Sequence, residues 1–94
     1  MNKQWTPVIH REYNNSLRRV VADSDRYQLG LAIWDQLIEV EDPTKGATPV
    51  PHRSGRFTVE IMGYIIVFEV PVDTEGKVLE SATEIKLLPI EKVQ

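Results

Sequence analysis

Apolar residues recur with helical spacing along residues 12–22. Tyr13 and Leu17 stand four apart, Leu17 and Val20 three, and Leu17 and Val21 four. That makes one stripe of a short amphipathic helix, with Arg18 and Arg19 off the stripe. Before it, residues 5–10 read as a short strand. Pro7 has no amide to donate, which places that strand at a sheet edge. Asp23, Ser24 and Asp25 interrupt the helical pattern and offer side-chain caps for a second helix over about residues 25–41. Tyr27, Leu31, Trp34, Leu37 and Ile38 make its expected core stripe, widened by Leu29, Ile33 and Val40. Gly30 costs that helix about 1 kcal/mol relative to alanine and allows a close approach. Pro43 disfavours helix at Asp42 and ends the element.

Residues 42–54 carry four breakers, Pro43, Gly46, Pro49 and Pro51, and read as an irregular loop anchored by Val50. From Phe57 the period changes to two. Phe57, Val59 and Ile61 face one way, and Thr58 and Glu60 the other. Gly63 permits a tight turn. Tyr64, Ile66, Phe68 and Val70 then alternate with Ile65, Val67 and Glu69, and apolar residues on both faces mark a central strand. Asp73, Thr74, Glu75 and Gly76 signal a turn. A last strand is expected over residues 77–88, with Thr83, Ile85 and Leu87 inward, Glu84 and Lys86 to solvent, and Pro89 at its end. The order is β-α-α-β-β-β. It predicts an α+β domain with two helices packed on one face of a small, mainly antiparallel sheet.

Composition narrows the function. Ninety-four residues suit a single domain over 1–94 with one modest core. The 41% apolar and 27% charged content is that of an ordinary soluble globular chain. The lack of cysteine excludes disulfides, thiolate metal sites and a cysteine nucleophile. A net charge of −3 and a pI near 5.3 argue against general nucleic-acid binding, which needs a basic face. The start of the chain lacks the apolar run of a signal peptide, so a cytoplasmic protein is expected. The apolar run 64–68 is too short to span a bilayer. No phosphate loop, Ser-His-Asp arrangement or zinc signature occurs, and His10 has no ligand partners, so neither cofactor nor metal is expected.

Three ordered segments resemble the RelE/ParE toxins of bacterial type II toxin–antitoxin modules. Leu37-Ile38-Glu39-Val40-Glu41-Asp42-Pro43 is similar to the family's helix end. Arg53-Ser54-Gly55-Arg56-Phe57-Thr58-Val59 is similar to its strand start. Gly63-Tyr64-Ile65-Ile66-Val67-Phe68-Glu69-Val70 is similar to its Gly-Tyr-Arg strand. The resemblance spans about residues 5–92 and implies the fold already read from the pattern. It also implies an antitoxin-like partner, with the ribosome and its mRNA, or gyrase, as target. Two departures bear on activity. Ile65 stands where the family has an arginine, and no tyrosine or histidine follows Lys86. RNA cleavage needs cations at the phosphate and a general acid or base. The residues left for a metal-independent ribonuclease site are His52, Arg53, Arg56 and Lys86, with Lys45 near the same loop. The expected function is a toxin-like component acting through protein binding. The alternative is an interaction domain that keeps the fold without toxicity. Trp5, Leu29 and Ile33 are the expected partner-binding residues, on a surface that a homodimer would also use.

Overall fold

The computed structural model describes residues 4–93. It runs β1 (Thr6–Ile9), α1 (Arg11–Arg19), a 3-10 turn (Asp23–Asp25), α2 (Arg26–Ile33) continued by a π turn (Trp34–Ile38), β2 (Thr48–Pro49), β3 (Arg56–Ile61), β4 (Tyr64–Glu69), β5 (Glu84–Leu87) and β6 (Glu91–Lys92). This is the α+β order expected from the pattern, with two short strands added. Strand order is β1-β5-β4-β3-β2, with β6 also on β4. The β1–β5 pair is parallel and the other pairs are antiparallel. Residues 1–3, part of the start read for a leader, lie outside the described residues. Among the described residues no helix is long and apolar enough to cross a membrane.

The β3–β4 hairpin follows directly from its turn. Met62 and Gly63 both have positive φ, 56° and 83°, and they link the paired residues Ile61 and Tyr64. A two-residue turn of this hand matches the twist of the strands. Alternation then sends Phe57, Ile61, Tyr64, Ile66 and Phe68 into one core with the helices. The Phe57 and Phe68 rings stack across the pair at 5.8 Å.

The last strand departs from expectation. Residues 72–78 form their own tight hairpin, closed by a Val72–Val78 bridge, so β5 starts only at Glu84. Thr83 is exposed rather than inward. β5 and β6 are two halves of one strand against β4. Glu69 pairs with Lys86 and Phe68 with Leu87, whereas Ile65 pairs with Glu91 and Tyr64 with Lys92. The register slips by one residue between the halves, a bulge at Pro89, which has no amide for the ladder. The bulge releases the Ile90 N–H, and the buried Ser16 hydroxyl of α1 accepts it at 2.8 Å while donating to Tyr13 O at 2.7 Å. Ser16→Ala strands that amide in the core. A loss of about 1–3 kcal/mol is expected by urea denaturation; an unchanged midpoint would contradict this account.

The 72–78 hairpin carries a pH dependence. The Asp73 carboxylate accepts the backbone N–H groups of Lys77 at 3.0 Å and Glu75 at 2.8 Å. The Lys77 amide is the main cause holding this carboxyl below the usual aspartate range, against some desolvation. The folded value is the lower one. The stabilisation is therefore present above the unfolded pKa, near 4, and lost as pH falls through the folded value. Carboxyl NMR titration should place Asp73 below a free aspartate, with the Lys77 amide moving on the same curve. A midpoint at or above the free value rules this out.

The second helix turns a different face inward. Leu29, Ile33, Leu37 and Ile38 are core, whereas Tyr27 is 74%, Leu31 47% and Trp34 41% exposed. Tyr27, Leu31 and Trp34 therefore leave the stripe expected to be buried. Both rows of α2 are apolar, so the pattern alone gives no orientation. The inward row repeats every four residues, longer than the 3.6 of an α-helix. The π turn takes up that difference, with Glu39 N–H bonded to Trp34 O five residues back at 3.0 Å.

Candidate functional site

The face of the sheet away from the helices carries the charged residues. Alternation puts Arg56 of β3, Glu69 of β4, Lys86 of β5 and Val8 of β1 in one row, each opposite the next in register. Within that row Arg56 is committed. Its Nε and Nη2 both donate to Glu69 Oε2, at 2.8 and 2.7 Å, with both side chains about 30% exposed. Lys86 lies on the other side of Glu69 and faces solvent. Glu60, Glu84 and Glu91, the last opposite Ile65, share this face, so its strands carry four carboxylates against two cations. Ile65 and Val67 make its half-buried centre.

His52 and Arg53 sit on a separate loop built from two turns. Arg53 N–H bonds to Val50 O at 3.2 Å, and Arg56 N–H to Arg53 O at 3.1 Å. In the first, Pro51 supplies the fixed negative φ and His52 takes the following left-handed position, at φ 63°. This is a type II turn with histidine where glycine is usual. In the second, Gly55 occupies the equivalent place at φ 84°. The turns leave His52 and Arg53 exposed on the rim of a depression of about 380 Å³ floored by Val50 and Phe57. A second depression, of about 350 Å³, lies among Val8, Gly55, Glu69, Glu84 and Lys86.

The fold thus brings Arg56 and Lys86 together around Glu69. Among the described residues neither the His52 nor the Arg53 side chain hydrogen-bonds to that row; the link is the Arg53 backbone carbonyl, which accepts the Arg56 N–H. Lys45 is exposed in the turn after Pro43. An in-line attack on RNA needs a cation poised at the phosphate and an acid or base within reach. Here the best-placed guanidinium is neutralised by its cross-strand glutamate, and the surrounding face repels phosphate.

Trp5, Leu29 and Ile33, the residues expected at a partner surface, are core, with Trp5 at 1% exposure. Trp5 N–H donates to Ile38 O at 2.8 Å and its Nε1 to Val40 O at 3.1 Å. It therefore ties β1 to the end of α2. β1 is an edge strand, as expected, but a poor template for an added one. Thr6 and His10 turn their N–H groups onto β5, bonding Thr83 O and Leu87 O. In this parallel register Pro7 and Ile9 face the free side, and proline has no amide to offer. Backbone accounting therefore disfavours strand addition there.

Among the exposed large apolar residues, Tyr27, Leu31 and Trp34 line up at positions i, i+4 and i+7 of the helix, whereas Val8, Ile9, Met62 and Leu79 are exposed on other elements. The signal in the sequence is the Tyr27, Leu31 and Trp34 row itself, which the spacing assigns to the core stripe of α2. Tyr64 holds the helix start in place. Its hydroxyl donates to Asp25 Oδ2 at 2.9 Å and accepts Ala22 N–H at 3.2 Å. No family model matches the chain, and no curated protein matches it.

Proposed function

We propose that this protein is a toxin-like, RelE/ParE-resembling component of a bacterial type II toxin–antitoxin module, and that it acts in the cytoplasm by binding protein rather than by cutting RNA. The observation that carries the binding reading is the exposed row Tyr27, Leu31 and Trp34 on α2. Three large apolar side chains aligned on one solvent face exceed the scattered single exposures of an ordinary surface and mark an interaction site. The Arg56–Glu69 pair and Ile65 in place of a cation support the absence of ribonuclease chemistry. The element order and the Gly63-Tyr64 strand support the family reading. An antitoxin-like protein is the expected partner.

Induced expression in a bacterial host tests this, with growth, translation and DNA supercoiling followed together. Growth should slow, and Trp34→Asp, which changes an exposed residue, should relieve the effect while leaving the circular dichroism unchanged. Purified protein should leave ribosome-bound mRNA intact. Site-specific cleavage abolished by Arg56→Ala would overturn the binding mode. Unimpaired growth in all cases would leave a non-toxic interaction domain.

A further inference from the structure

We infer that the partner of the exposed α2 face is a cationic amphipathic helix. This deepens, and rests on, the protein-binding reading of the same surface. The shape comes from the helix. Tyr27, Leu31 and Trp34 form a ridge of about 10 Å at 1.5 Å per residue, the length of two turns. Gly30 lies beside it, three residues after Tyr27 and four before Trp34. A Cβ at Gly30 would meet nothing within 4 Å, so nothing within the described chain requires glycine there. Glycine in a helix interior nonetheless costs about 1 kcal/mol relative to alanine. The notch it leaves next to Leu31 admits a side chain from a helix packed alongside, as ridges fit grooves between helices.

The charge comes from the same stretch. Residues 27–42 hold four carboxylates and no cation, a net −4, against −3 for the whole chain. Asp35 and Glu39 are exposed, and Asp35 follows Leu31 by one turn on the same face. The cation next to this stretch in sequence, Arg26, is engaged elsewhere. Its guanidinium is spent on Asp23 Oδ1 at 2.7 Å and on the carbonyls of Leu17, Arg18 and Val21. A second copy would set one acidic face against another, and an acidic membrane or nucleic acid meets the same repulsion. An apolar helix face flanked by lysine or arginine matches both the ridge and its rim, a helix-against-groove mode of recognition.

The test uses the full chain and synthetic peptides of about four helical turns. One peptide has leucines at i, i+4 and i+7 with lysines on the flanks. A second replaces the lysines by glutamates, and a third scrambles the lysine peptide. The lysine-flanked peptide should bind, shift the amides of residues 27–39 and change Trp34 fluorescence. The glutamate-flanked and scrambled peptides should bind at least about tenfold more weakly. Leu31→Asp should abolish binding, and the double change Asp35→Lys, Glu39→Lys should reverse the preference between the two leucine-faced peptides. Equal binding of the two, shifts confined to other elements, or a stable dimer of the chain closed through Tyr27, Leu31 and Trp34 would overturn the inference. Its failure is separable from that of the toxin-like reading. If no peptide binds but Trp34→Asp still relieves growth arrest, the cationic partner is wrong and the protein-binding reading stands. If the lysine-flanked peptide binds while expression never slows growth, the partner chemistry stands and the toxin-like reading falls.

Discussion

Trp5→Ala should be the most damaging single change in this chain, lowering stability by about 3–5 kcal/mol in denaturant titration. Three losses coincide. A large aromatic leaves a nearly closed core site, where it is 1% exposed among the central apolar residues. The Nε1–H bond to Val40 O disappears, leaving that carbonyl without this donor in a half-buried setting. The clamp between β1 and the π end of α2 loosens, although the Trp5 N–H to Ile38 O bond, being backbone, survives. A domain of this size commonly holds about 5–15 kcal/mol in all, so the variant sits near the limit of folding. Trp5→Phe separates the parts. It keeps most of the volume and removes the indole donor, so about 1–2 kcal/mol should go. If both variants cost the same, the hydrogen bond and not the packing holds the clamp. If neither costs more than about 1 kcal/mol, Trp5 is not the anchor described here.

Gly55→Ala should cost about 2–4 kcal/mol, for a reason that lies in the backbone. Gly55 has φ 84°, a conformation that residues with a Cβ rarely adopt. A Cβ there would lie 2.7 Å from the carbonyl oxygen of Val70, a distance that forces the strands apart. The same glycine's carbonyl accepts Val70 N–H at 3.0 Å, so neither chain can retreat without breaking a bond of the sheet. The consequence reaches the outer face. Gly55 precedes Arg56, and displacing it should disturb the Arg56–Glu69 pair as well as the exposed loop bearing His52 and Arg53. Gly46→Ala is the comparison. It has a similar φ of 86° but nothing within 4 Å of the added carbon, so it reports the left-handed conformation alone, at about 1 kcal/mol. Equal losses at the two positions would remove the steric argument.

Much of the architecture was readable before any coordinates. Period-two alternation after Gly55 located β3 and β4, and Gly63 marked the turn between them, because turn geometry and side-chain alternation act over a few residues; the exact register, set by the left-handed pair Met62-Gly63, came from the structure. The breaks at Asp23 and Pro43 bounded the second helix for the same reason. The additional strands were harder to read. β6 depends on a slip at Pro89 that is stabilised from a distance by Ser16, and the β1–β5 pairing joins residues nearly eighty positions apart.

The candidate site divides along the same line. Sequence by itself determined that basic residues cluster at 52–56, that Ile65 cannot supply a cation, and that residues 27–42 are acidic. These are properties of residue type and spacing. Only the tertiary structure decided that Arg56 is taken by Glu69, that Trp5, Leu29 and Ile33 are core, and that Tyr27, Leu31 and Trp34 face solvent. A helix apolar on two sides has no preferred orientation until something packs against it. Here the sheet, the indole of Trp5 and the hydroxyl of Tyr64 fix both ends of α2, and the row repeating every four residues turns inward because the π turn keeps Leu37 and Ile38 together on the core side.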